Sequence, residues 1–147
     1  MIEEYNKLYK KLLILFWINI VLSTAALLLV LYNNDFDLKN GGNVLFEQYS
    51  IIFTVAAIPG ALKLFHYQYK KAEQLEDSIF LKKYLNSYIL RLAILDAVII
   101  LNLAGIYSFD SQNALYMSLI TIFALAFCYP GKKIIKERQN NTEHKDN

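Results

Sequence analysis

The chain has 147 residues, a length that suits one domain, and 56% of them are hydrophobic whereas 19% are charged. This composition is more apolar than that of an ordinary soluble domain, and the net charge of +2 does not indicate nucleic-acid binding. The single cysteine, Cys128, excludes an intrachain disulfide.

Four apolar blocks predict helices at about 12–32, 44–66, 84–107 and 113–129. A helix needs about 20 mainly apolar residues to cross roughly 30 Å of hydrocarbon, and the first block meets that requirement without a charge. The fourth block is shorter, so it spans only if its polar flanks lie in the interfaces or the bilayer thins locally. We therefore predict an all-α fold, an integral membrane four-helix bundle formed as one domain by residues 1–138.

The second block contains the Pro59-Gly60 pair. Pro59 has no amide hydrogen to donate to the carbonyl of Val55, so this helix is expected to kink. Glycine and proline are absent from 61–104, which predicts that helical structure continues through a cytoplasmic hairpin at about 66–83. A helix lying flat in the interface is the alternative for that segment.

The hairpin is expected to turn near Asp77-Ser78. The basic segment 132–138 predicts a juxtamembrane turn, and the polar residues 139–147 predict a disordered tail. At the opposite end, a flexible turn is predicted at Gly41-Gly42, and Asp110 or Ser111 can cap the fourth helix.

Basic residues are distributed unequally between the connections. Of the 15 Lys and Arg residues, only Lys39 falls in the connections after the first and third blocks. Cytoplasmic loops of membrane proteins carry an excess of Lys and Arg, so both termini are predicted to be cytoplasmic.

The eleven tyrosines cluster near the predicted helix ends, as in an aromatic belt. The first block is too long for a typical signal peptide core, so it is predicted to remain as a helix.

Asp96 lies near the middle of the third block. A charge at that depth costs about 2.5–3.5 kcal/mol on insertion scales, so Asp96 must be protonated, paired or in a wet cavity. It is a candidate proton relay, cation site or helix contact; locking helices together is the structural alternative. The candidate intramembrane polar cluster comprises Asp96, Asn19, Lys63, Arg91 and Asn102.

Asn19 of the first helix lies at a depth similar to that of Asp96, which makes it a candidate interhelical partner. Arg91 is five residues before Asp96, about 140° around the helix, so these two are not an intrahelical pair. Lys63 and Arg91 are expected to extend their long side chains to the interface.

Soluble catalytic motifs are absent from the sequence. His66 and His144 are the only histidines and lie far apart, so neither a metal site nor a cofactor is predicted, and the chain is not predicted to be an enzyme. The predicted partners are the lipid bilayer with its anionic headgroups, and a second copy or another membrane protein docked on the 66–83 hairpin.

The runs AIPGALKLFH at 57–66 and FCYPGKK at 127–133 resemble small four-pass integral membrane proteins of Bacteroidota. The resemblance covers most of the chain and implies a bacterial cytoplasmic (inner) membrane protein, without implying an activity. Two functions stay open: a structural or accessory subunit or homo-oligomer, and a small transporter that moves protons or cations through Asp96.

Overall fold

The computed structural model describes residues 2–38 and 43–144. They form five helices, in order α1 (Ile2–Asn33), α2 (Val44–Glu73), α3 (Asp77–Phe109), α4 (Gln112–Phe127) and α5 (Lys132–Glu143). The predicted all-α fold is confirmed for these residues. Lys39, the predicted Gly41-Gly42 turn and the last three residues of the predicted tail lie outside the described ranges.

Three helices, α1, α2 and α3, are long and apolar enough to cross a membrane. The 16-residue helix α4 is apolar but shorter. At 1.5 Å per residue it extends about 24 Å, which is less than the roughly 30 Å of a hydrocarbon core. All four predicted apolar blocks are therefore helical. The fourth helix is shorter than a hydrocarbon core is thick, as its short apolar block suggested.

The helices extend beyond the apolar blocks. Helix α1 begins at Ile2, because Tyr5, Leu8 and Leu12 recur at helical spacing and are all buried against the rest of the chain. Helices α2 and α3 are joined by residues 74–76, so the chain turns just before the predicted Asp77-Ser78. We call this end of the fold the α2–α3 end.

Helix α5 corrects the expectation for the C-terminal segment. A basic turn at 132–138 and a disordered tail at 139–147 were predicted, whereas Lys132–Glu143 is helical. The segment is polar enough to suggest disorder, but Lys, Glu, Arg and Gln are good helix formers. The side chain of Ile135, which is 4% exposed, joins the core cluster. Tertiary contact therefore stabilises a helix that composition alone does not predict.

Helix α3 lies at the centre of the packing and contacts α1, α2 and α4, while α5 contacts α1. Its Leu95 side chain is fully buried in a cluster that includes Leu12, Ala61 and Leu125 from the other three apolar helices. Tyr84 and Tyr88 are also buried. These two tyrosines therefore pack in the core, although the sequence suggested an aromatic belt.

The α3–α4 end, at residues 110–111, is closed by short polar contacts. The Ser111 hydroxyl accepts a hydrogen bond from the Ala114 amide at 3.2 Å, which confirms Ser111 as the N-cap of α4. Asn34, just after α1, donates through Nδ2 to the Asp110 carboxylate at 2.9 Å and to the Ile106 carbonyl at 2.6 Å. The ends of α1, α3 and α4 are thus held together.

Helix α2 continues through Pro59 without interruption. The expected kink at Pro59 stays a prediction, because a helix that is continuous along the chain can still be bent at one residue. Both Pro59 and Gly60 lie on the exposed surface of α2, and a Cβ atom added at Gly60 would meet open space.

The outer surface of the apolar helices is itself apolar. Large hydrophobic side chains are exposed on each of them, including Leu22 at 68%, Ile100 at 66% and Phe127 at 85%. Folded soluble monomers rarely expose contiguous apolar patches of more than a few hundred Å². The described residues thus leave large apolar side chains exposed on all four of these helices, as a membrane bundle would.

Candidate functional site

Asp96 and Asn19 form a direct contact between α3 and α1. Asn19 Nδ2 donates to Asp96 Oδ2 at 2.6 Å, and both side chains are half-buried. The comparison of depths in the sequence identified Asn19 as a candidate partner for Asp96, and the structure brings these two residues together. The contact gives the carboxylate a polar neighbour among apolar side chains.

The oxygen of the Asn19 amide is a distinctive feature of this pair. Asn19 Oδ1 is buried and has no hydrogen-bond partner in the part of the chain that the structure describes. Because Nδ2 of this amide donates to Asp96, Oδ1 lies on the other side of the amide carbon. There it can accept a hydrogen bond from a donor or serve as one oxygen ligand of a cation.

Asn102 lies in a separate polar contact between α3 and α2. Its side chain is fully buried; Oδ1 accepts from the Ser50 hydroxyl, and Nδ2 donates to Thr54 Oγ1 at 3.1 Å and to the Val98 carbonyl at 3.0 Å. Ser50 and Thr54 therefore complete the hydrogen bonding of this amide. These contacts join α2 to α3 and do not include Asp96.

Glu47 is a buried carboxylate at the α3–α4 end. Its side chain is 8% exposed and accepts from Ser111 Oγ at 2.9 Å and from Asn113 Nδ2 at 3.0 Å. Glu47 was not among the predicted site residues. A signal was present, because Glu47, Ser50 and Thr54 follow the i, i+3, i+7 spacing of one helix face.

Arg91 is buried among the helices, and its expected extension to the interface stays a prediction. Its guanidinium lies 3.9 Å from the centre of the Phe65 ring, and Nη2 donates to the Cys128 carbonyl at 3.3 Å. The same carbonyl accepts from the Tyr88 hydroxyl at 2.9 Å. Arg91 thus links α3 to α2 and to the end of α4. A cation–π contact stabilises a guanidinium more strongly when the group is shielded from water, as it is here.

The predicted polar cluster is therefore divided. Asp96 and Asn19 form one pair, Asn102 belongs to the Ser50 and Thr54 contact, and Arg91 packs on Phe65. Lys63 is exposed. Similar depth was predicted for Asn19 and Asp96 alone, and these are the two residues of the cluster that the structure brings into contact.

The α2–α3 end carries a contact that we call the Arg138 clamp, formed by Arg138 of α5 with Asp77, Phe80 and the carbonyls of Glu73 and Leu75. Nε donates to Asp77 Oδ1 at 3.0 Å, and the two Nη atoms donate to Glu73 O at 2.9 Å and Leu75 O at 2.5 Å. The guanidinium also lies 3.8 Å from the centre of the Phe80 ring. One side chain thereby satisfies carbonyls that the end of α2 leaves open.

Tyr5 of α1 joins the Arg138 clamp. Its hydroxyl donates to Asp77 Oδ1 at 3.0 Å, and burial together with the nearby Asp77 carboxylate raises the pKa of Tyr5 to about 12. The phenol therefore stays protonated at neutral pH and remains a donor. The N-terminal turns of α1, the 74–76 turn and α5 meet at one point, so part of the predicted docking hairpin is covered by the chain itself.

Metal-ligand chemistry finds no support in the described ranges, where no group of three or more His, Cys, Asp or Glu side chains is close enough to hold an ion. Cys128 is buried, and its thiol donates to the Ala124 carbonyl at 3.4 Å. His66 and His144 are both exposed.

No family model, curated protein or solved structure matches the chain.

Proposed function

We propose that this chain is a multi-pass membrane protein that crosses a bacterial cytoplasmic membrane four times and acts as a structural or accessory subunit or as a homo-oligomer. The observation that carries the proposal is the apolar outer surface of α1, α2, α3 and α4, which includes Leu22, Ile100 and Phe127. Lipid tails or a second apolar helix surface would cover these side chains without the cost of exposing them to water.

The orientation in this proposal has both termini in the cytoplasm. Tyr5, Asp77 and Arg138 meet in one contact, which supports a common side for the start of α1, the 74–76 turn and α5. Among the connections, Lys39 is the only basic residue assigned to the other side. The excess of Lys and Arg at the α2–α3 end then corresponds to the cytoplasmic face.

Reporter fusions test this topology. A periplasm-active reporter placed after Lys39 or after Ser111 is expected to be active, and the same reporter after Arg138 is expected to be inactive. Activity of the Arg138 fusion, or a cytoplasmic signal from either of the other two, would refute the four-pass arrangement.

A structural role agrees with how the internal polar groups are used. Asn102 is paired with Ser50 and Thr54, and Glu47 is paired with Ser111 and Asn113. Each contact joins two helices at a fixed position, and interhelical hydrogen bonds in membranes contribute only about 0.6 kcal/mol on average. They specify which helix faces meet more than they stabilise the fold.

The two forms of the proposed role, homo-oligomer and accessory subunit, differ in the mass expected for the purified protein. A homo-oligomer purified in mild detergent would have a protein mass that is a multiple of the 17.0 kDa chain, whereas an accessory subunit would be monomeric alone. Light scattering coupled to size-exclusion chromatography separates the two. A monomer that also remains uncross-linked in native membranes, both to itself and to other proteins, would contradict both forms.

A small proton- or cation-translocating protein is the second candidate. The observation in its favour is the Asp96–Asn19 pair, in which Asn19 Oδ1 is buried without a partner among the described residues. In this alternative Asp96 would exchange a proton or a cation with Asn19 as the neighbouring ligand, and two or more copies would enclose the path.

Substitutions at Asp96 separate the two candidates. For a translocating protein, Asp96→Asn would abolish proton flux into proteoliposomes while leaving the protein folded, because an amide keeps the shape but not the acid–base chemistry. For a structural residue, Asp96→Asn would be tolerated and Asp96→Leu would lower stability. If the unsubstituted protein carries neither a proton flux nor a cation flux under an imposed membrane potential, the second candidate is removed.

A further inference from the structure

A groove of about 400 Å³ lies between α2 and α3 on the outside of the fold. Its volume falls in the range of small-molecule sites, about 300–1,000 Å³. Each helix contributes residues at the i, i+3, i+4, i+7 spacing of one face: α2 provides Leu64, Gln68 and Lys71, and α3 provides Lys83, Asn86 and Leu90. None of its lining residues is acidic.

The groove is graded in polarity along its length. The helices are antiparallel, so Leu64 faces the level of Leu90 while Lys71 and Lys83 both lie towards the 74–76 turn. Seven residues of helix separate the leucine level from the lysine level, which corresponds to about 10 Å. The predicted membrane boundary, at about 66 in α2 and 84 in α3, falls between these two levels.

The polar end is suited to an anion. Lys71 Nζ lies 5.0 Å from the centre of the Tyr67 ring, a contact that favours an ammonium at the mouth of the groove. Asn86 provides an amide, and Lys83 enters from the opposite helix. Two ammonium groups with amide donors between them match the hydrogen-bonding needs of a phosphate.

From this gradient and from the charge of its polar end, we propose that the groove binds one anionic phospholipid. Its phosphate would lie between Lys71 and Lys83 and the upper part of an acyl chain along Leu64 and Leu90. This site rests on the membrane orientation proposed above. It goes beyond general attraction to an anionic surface, because it assigns two of the many lysines at this end to one ligand.

The test compares two double variants of the full chain purified in neutral detergent. Lys71→Gln with Lys83→Gln removes the two groove charges, and Lys70→Gln with Lys82→Gln removes two exposed lysines that do not line the groove. Both pairs change the net charge equally. Native mass spectrometry during titration with phosphatidylglycerol, and separately with phosphatidylcholine, measures the affinity for a single bound lipid.

The groove pair is expected to weaken phosphatidylglycerol binding by about 25-fold, since each lysine near an anionic headgroup contributes about fivefold. The control pair is expected to weaken it by less than about threefold. Phosphatidylcholine binding is expected to weaken less than phosphatidylglycerol binding in the groove pair, because its choline cation offsets the phosphate charge. Equal losses for the two pairs, no loss for the groove pair, or displacement of the lipid by millimolar inorganic phosphate would each overturn the proposal.

Membrane extraction distinguishes failure of the groove from failure of the membrane assignment. The unsubstituted chain is expected to stay in the membrane after alkaline carbonate washing. Release by carbonate would refute membrane insertion, and the lipid site with it. Retention combined with equal lipid affinity in both double variants would refute the groove alone.

Discussion

Replacing Gly105 by alanine is expected to destabilise the fold, because α3 packs closely against its neighbours there. A Cβ atom at Gly105 would lie 2.8 Å from Phe46 Cζ and 3.2 Å from Ala114 Cβ, and closer still to Phe46 Cε1. The ring of Phe46 would have to move, and it packs against Phe109 with ring centres 5.1 Å apart. Overpacking of this kind costs about 1–3 kcal/mol.

Gly60→Ala is the matched control. Gly60 is also within a helix, but an added Cβ atom there meets nothing within 4 Å. The gain in helix propensity, about 1 kcal/mol for glycine to alanine, applies to both positions. We therefore expect Gly60→Ala to be neutral or stabilising and Gly105→Ala to be less stable than Gly60→Ala by about 1–3 kcal/mol.

Unfolding by sodium dodecyl sulfate in mixed micelles, followed by circular dichroism, measures the free energy of unfolding for each variant. Phe46→Leu in the Gly105→Ala background is expected to recover part of the loss, because the shorter side chain makes room for the new methyl group. Equal shifts for the two glycine variants, or no recovery in the double variant, would refute close packing at Gly105.

Two further predictions concern the internal contacts. Arg138→Lys keeps the charge but cannot make the three hydrogen bonds of the Arg138 clamp, so amide hydrogen exchange in α5 is expected to quicken about tenfold or more. Lys133→Ala removes only an exposed pair with Glu137 at 3.9 Å and should leave exchange unchanged; equal effects of the two would contradict the prediction. Asn102→Leu is expected to lower the free energy of unfolding by about 1 kcal/mol, and a loss above about 3 kcal/mol would contradict a packing role.

The helices of this fold could be predicted from sequence because apolar blocks of this length have few alternatives. The blocks beginning at 44 and 113 coincide with α2 and α4 to within a residue at their starts. Helix α5 could not be predicted in the same way, since its stability depends on Ile135 and Arg138 reaching other parts of the chain. Local composition does not contain that information.

The candidate site was predicted in part. Depth along a helix can be counted in residues, and that count brought Asn19 to the level of Asp96. The direction that a side chain takes around the helix decides its partner, and one sequence does not fix how the helices rotate against each other. Arg91 is the clearest case, because its depth along α3 could be counted from the sequence whereas its packing on Phe65 could not.

The Arg138 clamp has a consequence for biosynthesis. Asp77 contacts both Tyr5 and Arg138, so the contact is completed only after residue 138 has left the ribosome. Until then the carbonyls of Glu73 and Leu75 lack the donors that Arg138 provides. Synthesis of α5 therefore completes the α2–α3 end, and a chain that stops before residue 132 would leave those two carbonyls without the Arg138 donors.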